Sequence, residues 1–370
     1  MTLIRGLRVA GGHGRALTMR GMTTDLASPA LQQRARALPK VLLHEHLDGG
    51  LRVGTLLELL RQRGIEPPAP DEAQLAAWFS ANAHAGSLEK YLQGFALTIA
   101  AMAGLPALER VAFEAAEDAR ADGAVLAEFR IAPLLFEPYG ISGEAAIEAL
   151  LAGLARSALP SGLIVCALRH LPPAETTRAA RLALAWRGRG VIAFDLAGAE
   201  FGFPPGGHAE ALRLVRDGGL PLTLHAGEAD VAERVVEAAH LGARRIGHGV
   251  RLVDALNDPA RRHLVDEVRR LGVHLEVCPT SNVHTGAAAS IAEHPITALW
   301  QAGVSLSFHT DNRLMSCVSF AEETATLLRE TALTEADLLA MAGEAVGHSF
   351  LPEATRTQAL AAITAAIRTV

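Results

Sequence analysis

Short apolar runs of strand length alternate along this chain with longer stretches in which apolar residues recur at helical spacing. The runs are rich in Val, Ile and Leu without strict alternation, which is typical of strands covered on both faces. Each run is followed by a helical stretch, so the pattern predicts a (β/α)8 TIM-type barrel. The predicted strands are residues 41–50, 125–133, 163–171, 191–200, 220–228, 245–250, 273–282 and 304–312. A doubly wound open sheet is the alternative, but no predicted strand leads into a GxGxxG or Walker-type loop.

Helical stretches beyond the eightfold repeat flank the barrel. Residues 26–38 predict a helix before the first strand, and residues 319–331, 335–346 and 353–369 predict three helices at the end of the chain. Residues 71–103 predict two extra helices with a turn near Gly86, on the side of the barrel where a lid would lie. Trp78, Leu92 and Phe95 are candidates for the lining of this lid, or they hold its helices to the body.

Length and composition agree with one large domain. The chain has 370 residues, of which 50% are hydrophobic, and barrels of this kind reach that size as a single unit. We predict one domain over residues 26–370 and a flexible extension over residues 1–25. The extension carries four arginines and no acid before Asp25; a basic targeting arm, or a true start at Met19 or Met22, is the alternative.

Charge and cysteine content narrow the class of partner. The net charge is -6 with both signs interspersed, so there is no basic stripe for nucleic acid or a membrane surface. No apolar run has the length of a membrane helix. Three widely spaced cysteines without a CxxC pair indicate neither a disulfide framework nor a thiolate zinc site, and they fit a cytoplasmic protein.

Histidine and carboxylate side chains cluster at the ends of the predicted strands. In the first strand, VLLHEHLDGG, alternate residues share a face, so His44, His46 and Asp48 point the same way. Other strand ends carry Gly198, Glu200, His225, Glu228, His248, Asp311 and Asn312. Because all strands of a barrel open on one mouth, these residues can converge there. Core histidines scattered by chance would not fall at strand ends so regularly.

A zinc site follows from this convergence. The predicted ligands are His44, His46, His225 and Asp311. Nitrogen and oxygen donors of this mixture suit zinc and leave a position for water, whose pKa the metal lowers toward ~7. His248, with Asp311, could accept the proton of that water or hold it in line, and Glu228 could hand a proton to a substrate. Alternatively, His248 only supports the ligands and Glu228 is a helix N-terminal acid.

A single metal is expected. Two-metal barrels of this type need a carboxylated lysine at the end of strand four, and the only lysines, Lys40 and Lys90, are far from it in sequence. A phosphotriesterase-like hydrolase with two metals is therefore disfavoured.

Six segments resemble the adenosine deaminase group of the amidohydrolase superfamily and occur in the order of that family. They are HEHLDG at 44–49, DLAGAE at 195–200, HAGE at 225–228, RIGHG at 245–249, CPTSN at 278–282 and HTDN at 309–312. The resemblance covers the chain from about residue 38 to its end. Each segment alone is a weak signal, but six in order are highly specific.

The resemblance implies zinc-dependent hydrolytic deamination of a 6-aminopurine nucleoside, adenosine to inosine and ammonia. It implies one zinc ion on the four ligands named above, with His248 and Asp311 positioning the hydroxide that attacks carbon 6. It further implies that Glu228 protonates ring nitrogen 1. The implied substrate contacts are His46, the backbone amide of Gly198 at ring nitrogen 3, Asp48 at a ribose hydroxyl, and Asn312 at ring nitrogen 7.

Three positions lie outside the common pattern of the family or have no assigned role. Asn312 stands where many members have a second Asp, and an amide can donate directly to an unprotonated ring nitrogen 7. His309 stands where Asn is frequent; it tunes the ligand or, as we favour, fills the barrel. His284 is expected to be a surface loop residue.

The substrate is open among adenosine, adenine and adenosines modified at the 5' position, such as aminodeoxyfutalosine. Asp48 favours a ligand that carries ribose. A nucleoside-binding protein without turnover is the alternative from another functional class. The oligomeric state does not follow from the sequence.

Overall fold

The eight predicted strands form a barrel. The structure, a computed structural model, describes residues 28–83 and 88–369, so the predicted extension at 1–25 and the turn near Gly86 lie outside it. The strands are β1 (Lys40–His46), β2 (Ala124–Ile131), β3 (Ser161–Leu168), β4 (Val191–Ala197), β5 (Leu222–Ala226), β6 (Ala243–His248), β7 (His274–Val277) and β8 (Leu306–Phe308). They are parallel, and each pairs with the next in chain order.

The barrel closes between β1 and the segment after β8. The backbone N–H of His46 donates to the carbonyl of Asp311 at 2.8 Å, and the N–H of Asp311 donates to the carbonyl of His44 at 3.0 Å. This closure brings residues from opposite ends of the chain side by side, and the predicted (β/α)8 barrel is confirmed.

Sixteen helices surround the barrel in the part of the chain that the structure describes. They are α1 (Pro29–Ala37), α2 (Val53–Gln62), α3 (Glu72–Ala83), α4 (Leu88–Met102), α5 (Leu105–Ala121), α6 (Gly143–Ala155), α7 (Pro173–Ala185), α8 (Ala209–Asp217), α9 (Glu233–His240), α10 (Leu252–Leu256), α11 (His263–Leu271), α12 (Pro279–His284), α13 (Ile296–Gln301), α14 (Phe320–Glu330), α15 (Glu335–His348) and α16 (Glu353–Ile367). The extra helices predicted after β1 and at the end of the chain are present as α3, α4 and α14 to α16.

Two predicted strand ends are wrong. The first strand is predicted through residue 50, but β1 ends at His46 and Asp48 lies in a 3-10 helix, Leu47–Gly49. The sequence pattern also predicts a strand through residue 282, but β7 ends at Val277 and CPTSN turns into α12. Pro279 stands at the first turn of this helix, where its missing N–H costs nothing and its fixed φ suits the helix. The polar residues of CPTSN therefore sit on a short helix over the mouth of the barrel.

The helices predicted as a lid pack against the main body. Trp78 and Phe95 are half-buried against the main hydrophobic core, and the Trp78 ring meets Phe79 edge-on at 4.9 Å between centroids. The side chain of Leu92 lies outside the described residues. These contacts support the view that the two aromatic residues hold the helices to the barrel.

No single helix among residues 28–83 and 88–369 is long and apolar enough to cross a membrane. Two helical segments, Gly94–Met102 and Leu105–Ala121, are long and apolar enough only when they are taken together, and the chain bends by 116° between them.

A buried carboxyl joins α14 to the start of α12. The Oε1 atom of Glu323 accepts the backbone N–H of Thr280 at 3.0 Å, while Oε2 has no hydrogen-bond partner among the described residues. Burial raises the pKa of Glu323 to about 7, above its usual value of 4.5. Folding therefore favours the protonated form of Glu323.

We expect Glu323→Gln to stabilise the protein in a pH-dependent way. Because the folded pKa is raised, the wild type loses stability as the pH rises from about 4.5 to about 7, by up to about 3 kcal/mol. A neutral Gln avoids this loss, so the gain should be largest at pH 8 and small at pH 4.5. Urea unfolding at both pH values measures it, with Glu330→Gln as the exposed control. A gain that is equal at both pH values would contradict the assignment.

Candidate active site and metal centre

Four of the predicted residues meet at the mouth of the barrel. Ligand atoms of His44, His46, His225 and Asp311 all lie within 4.8 Å of one another. The Oδ1 atom of Asp311 is 3.2 Å from His44 Nε2 and 3.5 Å from His46 Nε2. The Nε2 atoms of His46 and His225 are 3.2 Å apart. The predicted ligand set therefore forms one cluster.

Carboxylates behind two of the imidazoles fix which ring nitrogen faces the cluster. Nδ1 of His44 lies 2.9 Å from Glu276 Oε2, and Nδ1 of His225 lies 3.1 Å from Asp195 Oδ1. Because an ionised carboxylate only accepts, each Nδ1 carries the proton and each Nε2 is left with a lone pair. Nε2 of His44 is buried and has no hydrogen-bond partner among residues 28–83 and 88–369. This arrangement is the one that metal-binding histidines use, and the donor set fits a divalent cation such as zinc.

An arginine holds both supporting carboxylates. Arg130 Nη1 donates to Asp195 Oδ2 at 2.8 Å, and its Nη2 donates to Glu276 Oε2 at 2.6 Å. Arg130 is on β2, while Asp195 and Glu276 are on β4 and β7, which are not neighbours of β2 in the sheet. These bonds therefore pass through the interior of the barrel, where all three side chains are fully buried.

Glu276 is the centre of this buried network. It also accepts hydrogen bonds from Arg245 Nε at 2.6 Å and Thr223 Oγ1 at 2.9 Å. Burial opposes ionisation of Glu276, but the guanidinium groups of Arg130 and Arg245 outweigh it and hold its pKa well below the usual value. The group behind His44 is therefore a permanent carboxylate.

Backbone conformation helps to gather the site. His248 and Asp311 have φ values of 65° and 59°, in the left-handed region that non-glycine residues rarely adopt. Such a conformation costs about 1–3 kcal/mol and persists only where the surroundings impose it. Gly247 has no side chain to obstruct the cluster: an added Cβ would lie 2.9 Å from His44 Cε1 and 3.2 Å from His225 Cγ.

Asp311 is held from the side away from the imidazoles. Ser281 Oγ donates to Asp311 Oδ2 at 2.6 Å, which leaves Oδ1 to face His44 and His46. Burial disfavours the charged form of Asp311, but the nearby imidazoles, above all that of His44, outweigh burial and lower the pKa of Asp311 well below normal.

Glu228 stands beside the cluster on the bend that follows β5. Glu200, at the end of the β4 loop, shapes this bend: its Oε2 accepts the backbone N–H groups of Glu228, Ala229 and Asp230, each at 3.1 Å. The Glu228 carboxylate accepts hydrogen bonds from Asn282 Nδ2 at 3.0 Å and Thr285 Oγ1 at 2.8 Å. Glu200, named above only as a strand end, thus positions Glu228.

His248 lies between Glu228 and the ligands. Its Nε2 is 3.5 Å from Glu228 Oε2, and its ring centroid is 5.0 Å from that of His44. Burial disfavours the imidazolium, but the carboxylates of Glu228 and Asp311 outweigh burial and raise the pKa of His248. The side-chain amide of Asn282, which lies 3.0 Å from His248 Nδ1, favours the neutral ring instead. Any bound cation would do the same.

Asp48, Gly198 and Asn312 are placed at the same mouth. Asp48 follows β1 directly; burial raises its pKa to about 6, and its Oδ1 has no hydrogen-bond partner among the described residues. Gly198 follows β4 with φ +88°, and an added Cβ would lie 2.8 Å from His170 Nδ1. Asn312 is buried against Gly49, where an added Cβ would lie 2.0 Å from Asn312 Oδ1.

His309 belongs to a structural chain of hydrogen bonds beneath the site. The backbone N–H of Leu43 donates to His309 Nδ1 at 3.1 Å, so the proton of a neutral ring is on Nε2. That nitrogen lies 2.8 Å from Ser307 Oγ, which lies 2.7 Å from His274 Nε2. His309 therefore has its bonding capacity filled away from the cluster, which supports the view that it fills the barrel.

A second group of possible ligands, His274, Glu344 and His348, lies at the opposite end of the barrel. In the hydrogen-bond chain from His309, the Ser307 hydroxyl donates to His274 Nε2, so the proton of the His274 ring is on Nδ1. This Nδ1 atom lies 2.9 Å from Ser305 Oγ. The Ser305 hydroxyl in turn donates to Glu344 Oε2 at 2.8 Å. Because His274 Nδ1 is a donor here, this group is a hydrogen-bond network and not a metal site.

His284, at the end of α12, is half-buried.

Sequence reasoning missed the residues that support the ligands. Arg130, Asp195 and Glu276 each interrupt an apolar strand, and a charge inside such a run is the signal that could have pointed to them. Asn282 lies within a recognised motif, but its two contacts follow only from the structure.

With this geometry in place, comparison with known proteins is informative. The family model for adenosine deaminase matches residues 39–366. The chain belongs to the adenosine deaminase family. An adenosine deaminase from Mycobacterium marinum is 44% identical over 304 residues, which are 78% of this chain and 83% of that protein. The resemblance in the six sequence motifs is thus confirmed.

Two solved structures have the same fold as this chain. An Arabidopsis protein, ADAL complexed with IMP, has a TM-score of 0.78 and 25% identity, covering 91% of this chain and 99% of its own. An amidohydrolase from Burkholderia ambifaria with bound zinc has a TM-score of 0.80 and 24% identity, covering 94% of this chain and 95% of its own. The second likeness concerns the fold alone.

Removal of the arginine beneath the site should destabilise the protein. Arg130→Met leaves the buried Asp195 and Glu276 short of a counter-charge, so we expect the free energy of unfolding to fall by about 3–5 kcal/mol. Urea unfolding at pH 7 measures this change. Arg120→Met, which breaks an exposed pair with Glu117, is the control and should stay close to wild type. Equal stability of the two variants would contradict the proposed network.

Proposed function

We propose that this protein catalyses the hydrolytic deamination of adenosine to inosine and ammonia. The observation that carries the proposal is the placement of Glu228 and His248 beside a cluster of three imidazoles and one carboxylate. A carboxyl group and an imidazole next to a candidate metal centre are the groups that hydrolysis of a C–N bond requires. The family membership supports the same reaction.

Zinc, one ion per chain, is the proposed cofactor. His44, His46, His225 and Asp311 would hold it, because their donor atoms converge and the Nδ1 protons of His44 and His225 leave Nε2 free to bind. When bound, the ion would lower the pKa of a coordinated water toward ~7. Both lysines of the chain, Lys40 and Lys90, are far in sequence from the end of β4, which supports a single ion.

Glu228 is the proposed proton donor to the purine. Its carboxyl group protonates ring nitrogen 1, which draws electrons from carbon 6 and opens that carbon to attack by water. A C–O bond forms at carbon 6 and the C–N bond breaks. Of the two protons that water gives up, one leaves with the amino group as ammonia and the other restores the carboxyl group of Glu228, while the product keeps the hydrogen on ring nitrogen 1. His248 holds the attacking water in line, from its place next to Glu228 and the ligands.

The nucleoside is proposed to bind across the same mouth. Asp48 offers a buried carboxylate oxygen without a partner to a ribose hydroxyl, which favours adenosine over adenine. The Gly198 amide would meet ring nitrogen 3, and the Asn312 amide would meet ring nitrogen 7. His46 lies at the rim of the cluster, partly exposed, where it can touch the substrate as well as the metal. A cytoplasmic location is proposed with this function, since the three cysteines are unpaired.

Adenosine should be the preferred substrate in a panel with adenine and 5'-modified adenosines. Loss of the purine absorbance band of adenosine, compared by kcat/KM, measures this preference. Asp48→Ala should lower kcat/KM for adenosine but leave that for adenine nearly unchanged. If the zinc-loaded protein binds adenosine but turns over none of these compounds, it is a nucleoside-binding protein and not a deaminase. Independently of the substrate, metal analysis should find one zinc ion per chain.

Glu228→Gln should abolish most activity without loss of the metal. Gln keeps the shape of the side chain but cannot supply the proton, so we expect kcat to fall by about 10²- to 10⁴-fold. Zinc content and the urea unfolding curve check that the site is intact. Glu233→Gln, on the exposed start of α9, is the matched control. Wild-type turnover in Glu228→Gln would overturn the role of Glu228.

A further inference from the structure

A chain of hydrogen bonds that begins at a backbone amide runs into the active site. The N–H of Ile296 donates to His294 Nδ1 at 3.0 Å. A backbone amide can only donate, so Nδ1 accepts and the proton of a neutral ring is on Nε2. His294 is buried, and burial lowers its pKa to about 3, which keeps the ring neutral.

His294 orients the side-chain amide of Asn282. Its Nε2 lies 3.3 Å from Asn282 Oδ1, so the N–H donates to that oxygen. The amide nitrogen of Asn282 then points the other way, 3.0 Å from Glu228 Oε1 and 3.0 Å from His248 Nδ1. Glu228 supports the same orientation independently, because a carboxylate can accept only from the NH2 end of an amide.

The orientation of Asn282 has a consequence for His248. With an NH2 group donating to Nδ1, the proton of a neutral His248 ring is on Nε2, the nitrogen that faces Glu228 Oε2 at 3.5 Å. His44 and His225 have the opposite tautomer, because Glu276 and Asp195 hold protons on their Nδ1 atoms.

We propose that Asn282 is a positioning residue that fixes His248 as the Nε2–H tautomer and so separates it from the ligand histidines. The His248 ring is as close to the cluster as the ligand rings are: its centroid is 5.0 Å from His44 and 5.3 Å from His225, while His44 and His46 are 5.3 Å apart. The ring nitrogens of His248 are nevertheless not among the donor atoms that lie within 4.8 Å of one another. A proton on Nε2 further keeps His248 from binding the metal, because that nitrogen then has no lone pair to offer.

The same tautomer sets what His248 does in the reaction, on the assumption that the proposed function holds. A neutral ring with a proton on Nε2 donates a hydrogen bond to the oxygen of the attacking water. It cannot take the proton of that water through the same nitrogen. His248 thus orients the water, and the proton passes to a carboxylate, of which Glu228 is the neighbour within reach.

The tautomer can be measured directly. In protein labelled with 15N-histidine, the ring nitrogens of His248, assigned by their loss in His248→Gln, should show a protonated Nε2 and an unprotonated Nδ1. This experiment uses the full chain with and without zinc and does not need turnover. A protonated Nδ1 in the wild type would overturn the proposal.

Asn282→Asp is the variant designed to reverse the tautomer. A carboxylate facing Nδ1 accepts where the amide donated, so the proton should move to Nδ1 and Nε2 should become free to bind metal. We expect kcat to fall by about 10²- to 10⁴-fold, as for other enzymes with a histidine in the wrong tautomer, with KM close to wild type. The visible spectrum of the cobalt-substituted protein should change in intensity as a nitrogen ligand is added. An unchanged tautomer and spectrum would contradict the proposal.

Three further variants keep the result interpretable. Thr285→Val removes a hydrogen bond to Glu228 without touching His248, so the His248 tautomer should stay as in wild type. Asn257→Asp adds a charge on the exposed end of α10 and should change neither readout. If Asn282→Asp does not fold, Asn282→Leu removes the donor to His248 Nδ1 and should leave a mixture of tautomers. A single Nε2–H form in that variant would contradict the role of Asn282.

The two proposals fail in different ways. A wild type without deaminase activity, but with Nε2–H on His248, would refute the proposed function alone. An active wild type with Nδ1–H on His248 would refute the role of Asn282 alone.

Discussion

The active site depends on one constraint: three imidazole rings and one carboxylate must be held against each other inside a barrel. The facing lone pairs of His44 and His225 repel each other, so the orientation of these rings must be imposed from behind. Glu276 and Asp195 impose it by accepting from the Nδ1 atoms of His44 and His225. These carboxylates are themselves buried, and Arg130 makes this possible by pairing with both.

The layer beneath the mouth is therefore charged, although it lies where a barrel usually holds branched apolar side chains. Arg130, Arg245 and Glu276 are fully buried, and Glu276 bonds both to Arg245 on the neighbouring strand β6 and to Arg130 on β2, which is not a neighbour of β7 in the sheet. This layer costs desolvation energy, and in return the ion network holds the rings of His44 and His225 in one orientation. The left-handed backbone conformation of His248 and Asp311 also costs conformational energy at the same place.

Backbone N–H groups set the protonation pattern of two buried histidines outside the cluster, His309 and His294. The N–H of Leu43 fixes His309, and the N–H of Ile296 fixes His294 and, through Asn282, His248. The carboxylates set the opposite pattern in His44 and His225. Histidines of one chain thus take different roles according to the hydrogen-bond partner of the nitrogen that faces away from the site.

The sequence by itself determined the order of strands and helices, the mouth as the place of the site and the four residues of the cluster. It could do so because strand side chains alternate and parallel strands end together, so His44, His46 and His225 are fixed by their positions within strands and Asp311 by its place just after β8. The tertiary structure alone decided which groups stand behind them. Glu276 lies 232 residues from His44 along the chain, and nothing local in HLEV says which imidazole it meets. Asn282 was missed for a related reason: the helix that begins at Pro279 turns it toward Glu228 and His248, a direction that a strand would not have given it.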